Sequence, residues 1–168
     1  KEKIQNFCDQ KLGKSVIIAK DTPGFIANRI GTFWYQLGIK STLEYNLSVE
    51  EADILSSLPF GVPKSGIFGT LDLVGLDLMP HVAASMLKRL PKNDKFRDIF
   101  SEPKIIKEML DKGWIGRKGP SGFYRLNKKN NSRIKESIDL KSGKYSKSEK
   151  IKLNSKDLKD IIEDNNNY

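Results

Sequence analysis

A chain of 168 residues can hold one domain with a sizeable core and a small appendage. Its formal charge of +9 is diffuse, +4 on the tail from Lys128 and +5 on the first 127 residues. That pattern excludes the concentrated basic face of a nucleic-acid binder and suits an anionic small molecule such as a nucleotide or a phosphorylated carrier. Cys8 is the only cysteine, so no intrachain disulfide can form, which fits a reducing, cytoplasmic setting. No apolar run is long enough to span a membrane, and Lys1–Asn6 opens no signal peptide.

Ile4, Phe7, Cys8 and Leu12 recur at helical spacing, which predicts an amphipathic helix from Glu2 to Leu12 stopped by Gly13. Ser15–Ala19 is then a β-branched run that reads as a buried strand. Nothing else in the chain supplies a sheet for it. Either Val16–Ala19 packs on the helices without pairing, or the chain begins near the end of a larger nucleotide-binding domain. Asp21 or Thr22 can cap the next helix and Pro23 suits its first turn, so a helix is expected from Gly24 to about Tyr45. Ile26, Ile30, Phe33 and Leu37 share one face of it, and Phe25, Asn28, Tyr35 and Ile39 form a roughly opposite stripe. Burial on two sides follows.

Ser48 with Glu51 three residues on is a capping box for a helix that ends before Pro59. A Gly/Pro loop spans 60–66, and a third helix runs from about Ile67 to Val74, broken by Gly75. Asp77 caps a fourth helix that buries Val82, Met86 and Leu90, with Pro80 tolerated in its first turn. Pro103–Lys112 is a fifth helix closed by Gly113, and Trp114–Gly122 is a glycine-rich loop. In the polar tail, Glu136–Tyr145 alternates like a hairpin with Ser142-Gly143 at its turn. A composition so rich in Lys, Asn and Ser buries little area, so the rest of the tail is expected to be a short helix and partly disordered chain.

Three features stand out chemically. Asn28 is an amide on an apolar stripe; it serves either a helix–helix hydrogen bond or a substrate carbonyl or hydroxyl oxygen. Arg117 and Lys118 lie between glycines, which suits phosphate, although the spacing is not that of a P-loop and a turn with solvated charges has the same composition. His81 is the lone histidine, with no acid three or four residues on to orient it, and reads as a surface or structural residue. No cluster has metal-ligand spacing.

Lys20-Asp21-Thr22-Pro23-Gly24-Phe25-Ile26-Ala27-Asn28-Arg29-Ile30 resembles the junction segment of the 3-hydroxyacyl-CoA dehydrogenase family. Gly61-Val62-Pro63 with Gly66-Ile67-Phe68-Gly69-Thr70-Leu71-Asp72-Leu73-Val74-Gly75-Leu76-Asp77 is similar to the family's next block, and Gly116-Arg117-Lys118-Gly119-Pro120-Ser121-Gly122-Phe123-Tyr124 to its closing block. The three stand in the family's order and spacing. The departure is Pro63-Lys64-Ser65-Gly66, which has one extra residue before the glycine and no second proline.

The resemblance implies a mainly α fold, the helical C-terminal domain of a 3-hydroxyacyl-CoA dehydrogenase (6-phosphogluconate dehydrogenase C-terminal-like). It implies three parts: residues 1–20 closing an NAD-binding Rossmann domain, 21–126 forming the helical substrate and dimerisation domain, and 127–168 a polar extension. It further implies NAD-dependent oxidation of (S)-3-hydroxyacyl-CoA to 3-oxoacyl-CoA in fatty-acid β-oxidation, by a homodimer. The His–Glu base belongs to the Rossmann domain, so this chain alone is expected to be inactive. By the same resemblance Asn28 contacts the acyl-CoA oxygen at the reacting carbon and Lys118 reaches NAD, whereas Arg29 braces the domain. The tail is similar to the extension in multifunctional members with a fused enoyl-CoA hydratase domain. A dehydrogenase of another 3-hydroxy acid and a non-catalytic dimerisation module are the alternatives.

Overall fold

The computed structural model describes residues 1–60, 64–127 and 133–152. Helical periodicity becomes α1 (Glu2–Leu12), α2 (Ala27–Glu44), α3 (Val49–Leu55), a 3₁₀ turn (Leu58–Phe60), α4 (Gly66–Val74), α5 (Leu78–Arg89), α6 (Phe96–Ile99) and α7 (Lys104–Asp111). A three-stranded antiparallel sheet follows: β1 (Tyr124–Asn127), β2 (Ile134–Ile138) and β3 (Tyr145–Lys147), in that spatial order. The mainly helical fold is as expected.

The main core forms where α2, α3, α4, α7 and the sheet meet. Ile39, Val49, Ala52, Ile67, Phe68, Leu71, Met109, Phe123 and Ile138 are buried there, and the Phe68 and Phe123 rings meet edge-on with centroids 4.7 Å apart. A second cluster of Ala83, Met86 and Phe96 joins α5 and α6, with Phe33, Val82 and Leu90 packed against it. The α3 capping box is present: the Ser48 hydroxyl accepts from the Glu51 N–H at 3.2 Å and the Glu51 carboxylate accepts from the Ser48 N–H at 2.8 Å.

Several expectations are corrected. The run Ser15–Ala19 forms no strand, and Val16, Ile17 and Ile18 do not pack on the helices: they are exposed, Ile17 at 75 %. A strand needs a hydrogen-bonded neighbour, and no described residue supplies one. Helix α2 starts at Ala27 rather than Gly24, with Ile26 at the cap position and no side-chain cap from Asp21 or Thr22. It is buried on the Thr32, Gln36, Ile39, Thr42 side, whereas of the first stripe only Phe33 packs inward, on the second cluster, and Ile26, Ile30 and Leu37 are exposed, so the expected burial on both sides is realised only in part. Asp77 occupies the cap position of α5 without a capping hydrogen bond. Helix α6 was not anticipated, because four residues are too few to show a period.

The tail buries more than its composition suggests. The expected hairpin forms as β2–β3, with Ile138 opposite Tyr145, and Ser137, Ile138 and Leu140 enter the core. Its partner β1 was not foreseen as a strand; it runs out of the closing loop and pairs Tyr124 with Ser137. Residues 133–152 contain no helix, and 153–168 lie outside the described residues, as does Pro63 of the altered turn Pro63–Gly66.

Candidate functional site

Chain geometry sets the start of α2. Gly24 and Phe25 are both left-handed, with φ of 76° and 48°. A side chain on Gly24 would lie 2.7 Å from the Met86 methyl and 2.9 Å from the Arg29 amide nitrogen, so the turn admits only glycine there. Phe25, bulky and exposed, is an outlier at positive φ, the kind of strain that collects at functional sites. The turn delivers Asn28 to the first helical turn. Asn28 is exposed and its side chain makes no hydrogen bond to any described residue, so among these residues it is not a helix–helix clasp. It stands on the surface with exposed Phe25, Ile26 and Ile30. Its neighbour Arg29 is an anchor: the guanidinium pairs with Asp94 and lies 5.8 Å from the Phe96 ring centroid. The Phe96 N–H, with Arg29 adding to it, holds the Asp94 carboxyl below its ordinary range.

A second locus is built on two buried aspartates. Asp53, 6 % exposed on α3, accepts hydrogen bonds from the Phe68 N–H (2.6 Å), the Gly69 N–H (3.0 Å) and the Tyr124 hydroxyl (2.8 Å). It thereby caps α4 from a neighbouring helix, a task Ser65 does not perform. Burial still pushes its carboxyl up to about 6, against these hydrogen bonds, and burial likewise raises the Tyr124 hydroxyl. Asp72, 4 % exposed on α4, accepts from the Phe123 and Tyr124 N–H groups, both at 2.8 Å, and burial raises its carboxyl too. The Asp72 carbonyl accepts the Arg117 N–H at 2.8 Å.

The glycine-rich segment is therefore a loop wrapped around Asp72, not a phosphate cradle. Its ends are joined by the Gly116 N–H on the Ser121 carbonyl at 2.9 Å. A Cβ on Gly122 would lie 2.2 Å from the Asp72 carboxylate, which is why no larger residue fits there. Lys118 projects from the loop, exposed, and its ammonium donates to the Val74 carbonyl at 2.8 Å, at the electronegative end of α4. One of three N–H donors is used among the described residues, and the remaining two suit an anionic group such as a dinucleotide's.

An open groove of ≈ 880 Å³ runs between Asp53, Asp72, Arg117, Tyr124 and Lys135; neither Asn28 nor Lys118 lines it. Asn28 follows the Gly24 turn, whose glycine abuts Met86, while Lys118 meets the C-terminal end of α4 at Val74, and no described contact joins them. His81 is exposed on α5 with no partner among the described residues, and no group of His, Cys, Asp and Glu among them could hold a metal. Asp53 and Asp72 were missed as organising residues. The available signal was a carboxylate amid the apolar positions of a short helix, Ala52-Asp53-Ile54 and Leu71-Asp72-Leu73.

Comparison with known proteins extends this picture. Residues 24–126 match the family model "3-hydroxyacyl-CoA dehydrogenase, C-terminal domain". A Rickettsia prowazekii protein bearing the name of a fatty acid oxidation complex trifunctional enzyme is 37 % identical over 99 % of this chain, which spans 23 % of that relative's length. A Bacillus subtilis protein named for 3-hydroxyacyl-CoA dehydrogenase is 43 % identical over 71 % of the chain and 15 % of its own length. In fold, 71 % of the chain superposes on 41 % of the crystal structure of (S)-3-hydroxybutyryl-CoA dehydrogenase PaaH1 from Ralstonia eutropha, with a TM-score of 0.57 and 27 % identity. The strained α2 entry, the Asp72-wrapped loop and the helices between them all fall inside the matched span, and the chain belongs to the 3-hydroxyacyl-CoA dehydrogenase C-terminal domain family.

Proposed function

We propose that this chain is the substrate-side domain of an NAD-dependent (S)-3-hydroxyacyl-CoA dehydrogenase of fatty-acid β-oxidation. It works within a longer cytoplasmic polypeptide that supplies the NAD-binding Rossmann domain and the catalytic base. Residues 1–20 close that domain. The observation that carries the reading is Asn28: an amide presented on the open surface by a strained turn, with no hydrogen bond of its own to a described residue. A neutral amide can orient the substrate hydroxyl and donate to the oxygen as it becomes carbonyl-like, without competing for the proton. Lys118 provides a cation that neutralises an anionic cofactor from the helical side. NAD, when bound, supplies the hydride acceptor.

The exposed apolar residues Phe25, Ile26, Ile30, Leu73, Val74 and Leu78 support burial against the Rossmann domain and a second copy of the chain in a homodimer. The similarity to a trifunctional relative supports a fused enoyl-CoA hydratase domain in the same polypeptide. No single described helix is long and apolar enough to cross a membrane.

Asn28→Ala in the complete dehydrogenase tests the reading. The expected result is a fall in rate of roughly 10²–10³ with an unchanged melting temperature, because the amide is exposed and bonds to no described residue. An unchanged rate would favour a non-catalytic dimerisation module. The isolated chain should give no NADH-dependent turnover of acetoacetyl-CoA, and light scattering on the complete protein should report a dimer.

A further inference from the structure

The loop that carries Lys118 is held from two sides. On one side is Asp72, through its carbonyl to Arg117 and its carboxylate to Phe123 and Tyr124. On the other side is Tyr145, from β3 of the extension, outside the span matched by the family model. The Tyr145 hydroxyl accepts a hydrogen bond from the Ser121 hydroxyl at 2.7 Å and donates to the Gly122 carbonyl. Its ring meets Trp114 edge-on at 5.3 Å, at the entry to the loop, and Arg125 lies 3.8 Å from its centroid, just past the exit. Arg125 is fixed in turn by Glu136 on β2 at 2.6 Å. One side chain thus touches the residues that open, close and follow the loop. Ser121 transmits the hold, because its carbonyl accepts the Gly116 N–H that shuts the ring of residues around Lys118.

We propose that Tyr145 is a positioning residue for Lys118, and that the sheet extension is the loop's brace and an integral part of the cofactor-side site. This rests on the reading that Lys118 contacts NAD. A loop fixed only at Asp72 could hinge about that helix; a second clamp, through Ser121 and Gly122, fixes the direction in which the lysine projects. Pre-organisation of this kind shows in the affinity for the group the lysine meets and leaves the substrate face at Asn28 alone.

The test is Tyr145→Phe in the complete dehydrogenase, which keeps the ring and its contacts and removes only the hydroxyl. KM for NAD should rise about three- to tenfold, the effect of one or two hydrogen bonds, with KM for acetoacetyl-CoA unchanged. Ser121→Ala should reproduce the effect. In a Lys118→Ala background, Tyr145→Phe should add nothing further, which a general loosening of the fold would not explain. If Lys118→Ala raises KM for NAD while Tyr145→Phe and Ser121→Ala do not, the brace is refuted and the role of Lys118 stands. Equal rises in both KM values, or a full Tyr145→Phe effect without Lys118, would also overturn it. If Lys118→Ala leaves KM for NAD unchanged, the reading of Lys118 fails and the inference falls with it.

Discussion

The Asp53 carboxylate and the Tyr124 hydroxyl meet at 2.8 Å, joining α3 to the first strand of the sheet. The bond sits where the helical part of the chain hands over to the extension. Because Asp53 also receives the α4 amides, one carboxylate ties three elements together.

That junction predicts a pH dependence of stability. The Asp53 carboxyl is raised in the folded chain from 3.8 to about 6, first by burial. The folded state therefore binds the proton more tightly than the unfolded state. The associated stability is fully present below pH ~4 and is lost as pH rises through ~6, an upper bound of ~3 kcal/mol. Asp72 shifts in the same direction for the same reason. Urea unfolding between pH 4 and 7 should show stability declining with pH, and Asp53→Asn should flatten part of that slope. Identical slopes in the two proteins would refute the assignment.

Gly122 faces the other aspartate. A methyl group there would lie 2.2 Å from the Asp72 carboxylate oxygen that accepts the Phe123 amide. Neither partner can retreat, because Phe123 is fully buried and Asp72, in the last turn of α4, is buried as well. Gly122→Ala should cost about 3 kcal/mol, read as a lower urea midpoint at unchanged m-value. A midpoint within experimental error of the parent would show that the loop is not wrapped as described.

Sequence periodicity placed the longer helices and the hairpin well, because those features are local. The α3 capping box is legible from two residues, and the junction and closing blocks point to the family. What was not legible depends on distant partners. Nothing near Asp53 announces that it caps a helix whose amides are 15 and 16 residues away. The closing loop looks like an anion cradle until Asp72 fills it. The β-branched run at 16–19 has strand propensity and no strand, since pairing is decided by what lies alongside. The tail was undervalued because composition averages over Ile138 and Leu140, which do the burying.

The two helix caps should behave differently although both Ser48 and Asp77 are favoured cap residues. Ser48 makes both halves of its capping box, whereas Asp77 makes no capping hydrogen bond. Ser48→Ala should cost about 0.5–2 kcal/mol in thermal or urea unfolding, and Asp77→Ala should change stability by less than about 0.5 kcal/mol. Equal losses would mean that Asp77 caps α5 after all.

The entry to α2 gives the last prediction. Phe25 is held at φ 48° and is 60 % exposed, so packing offsets little of the strain. At such a position alanine keeps the steric penalty and glycine removes it. Phe25→Gly should therefore be more stable than Phe25→Ala by about 1 kcal/mol, the reverse of the order found within a helix. If alanine proves the more stable, the left-handed turn is not the one this chain uses. Asn28 would then leave the first turn of α2 by a different path, since that turn is what carries the chain from Pro23 into the helix.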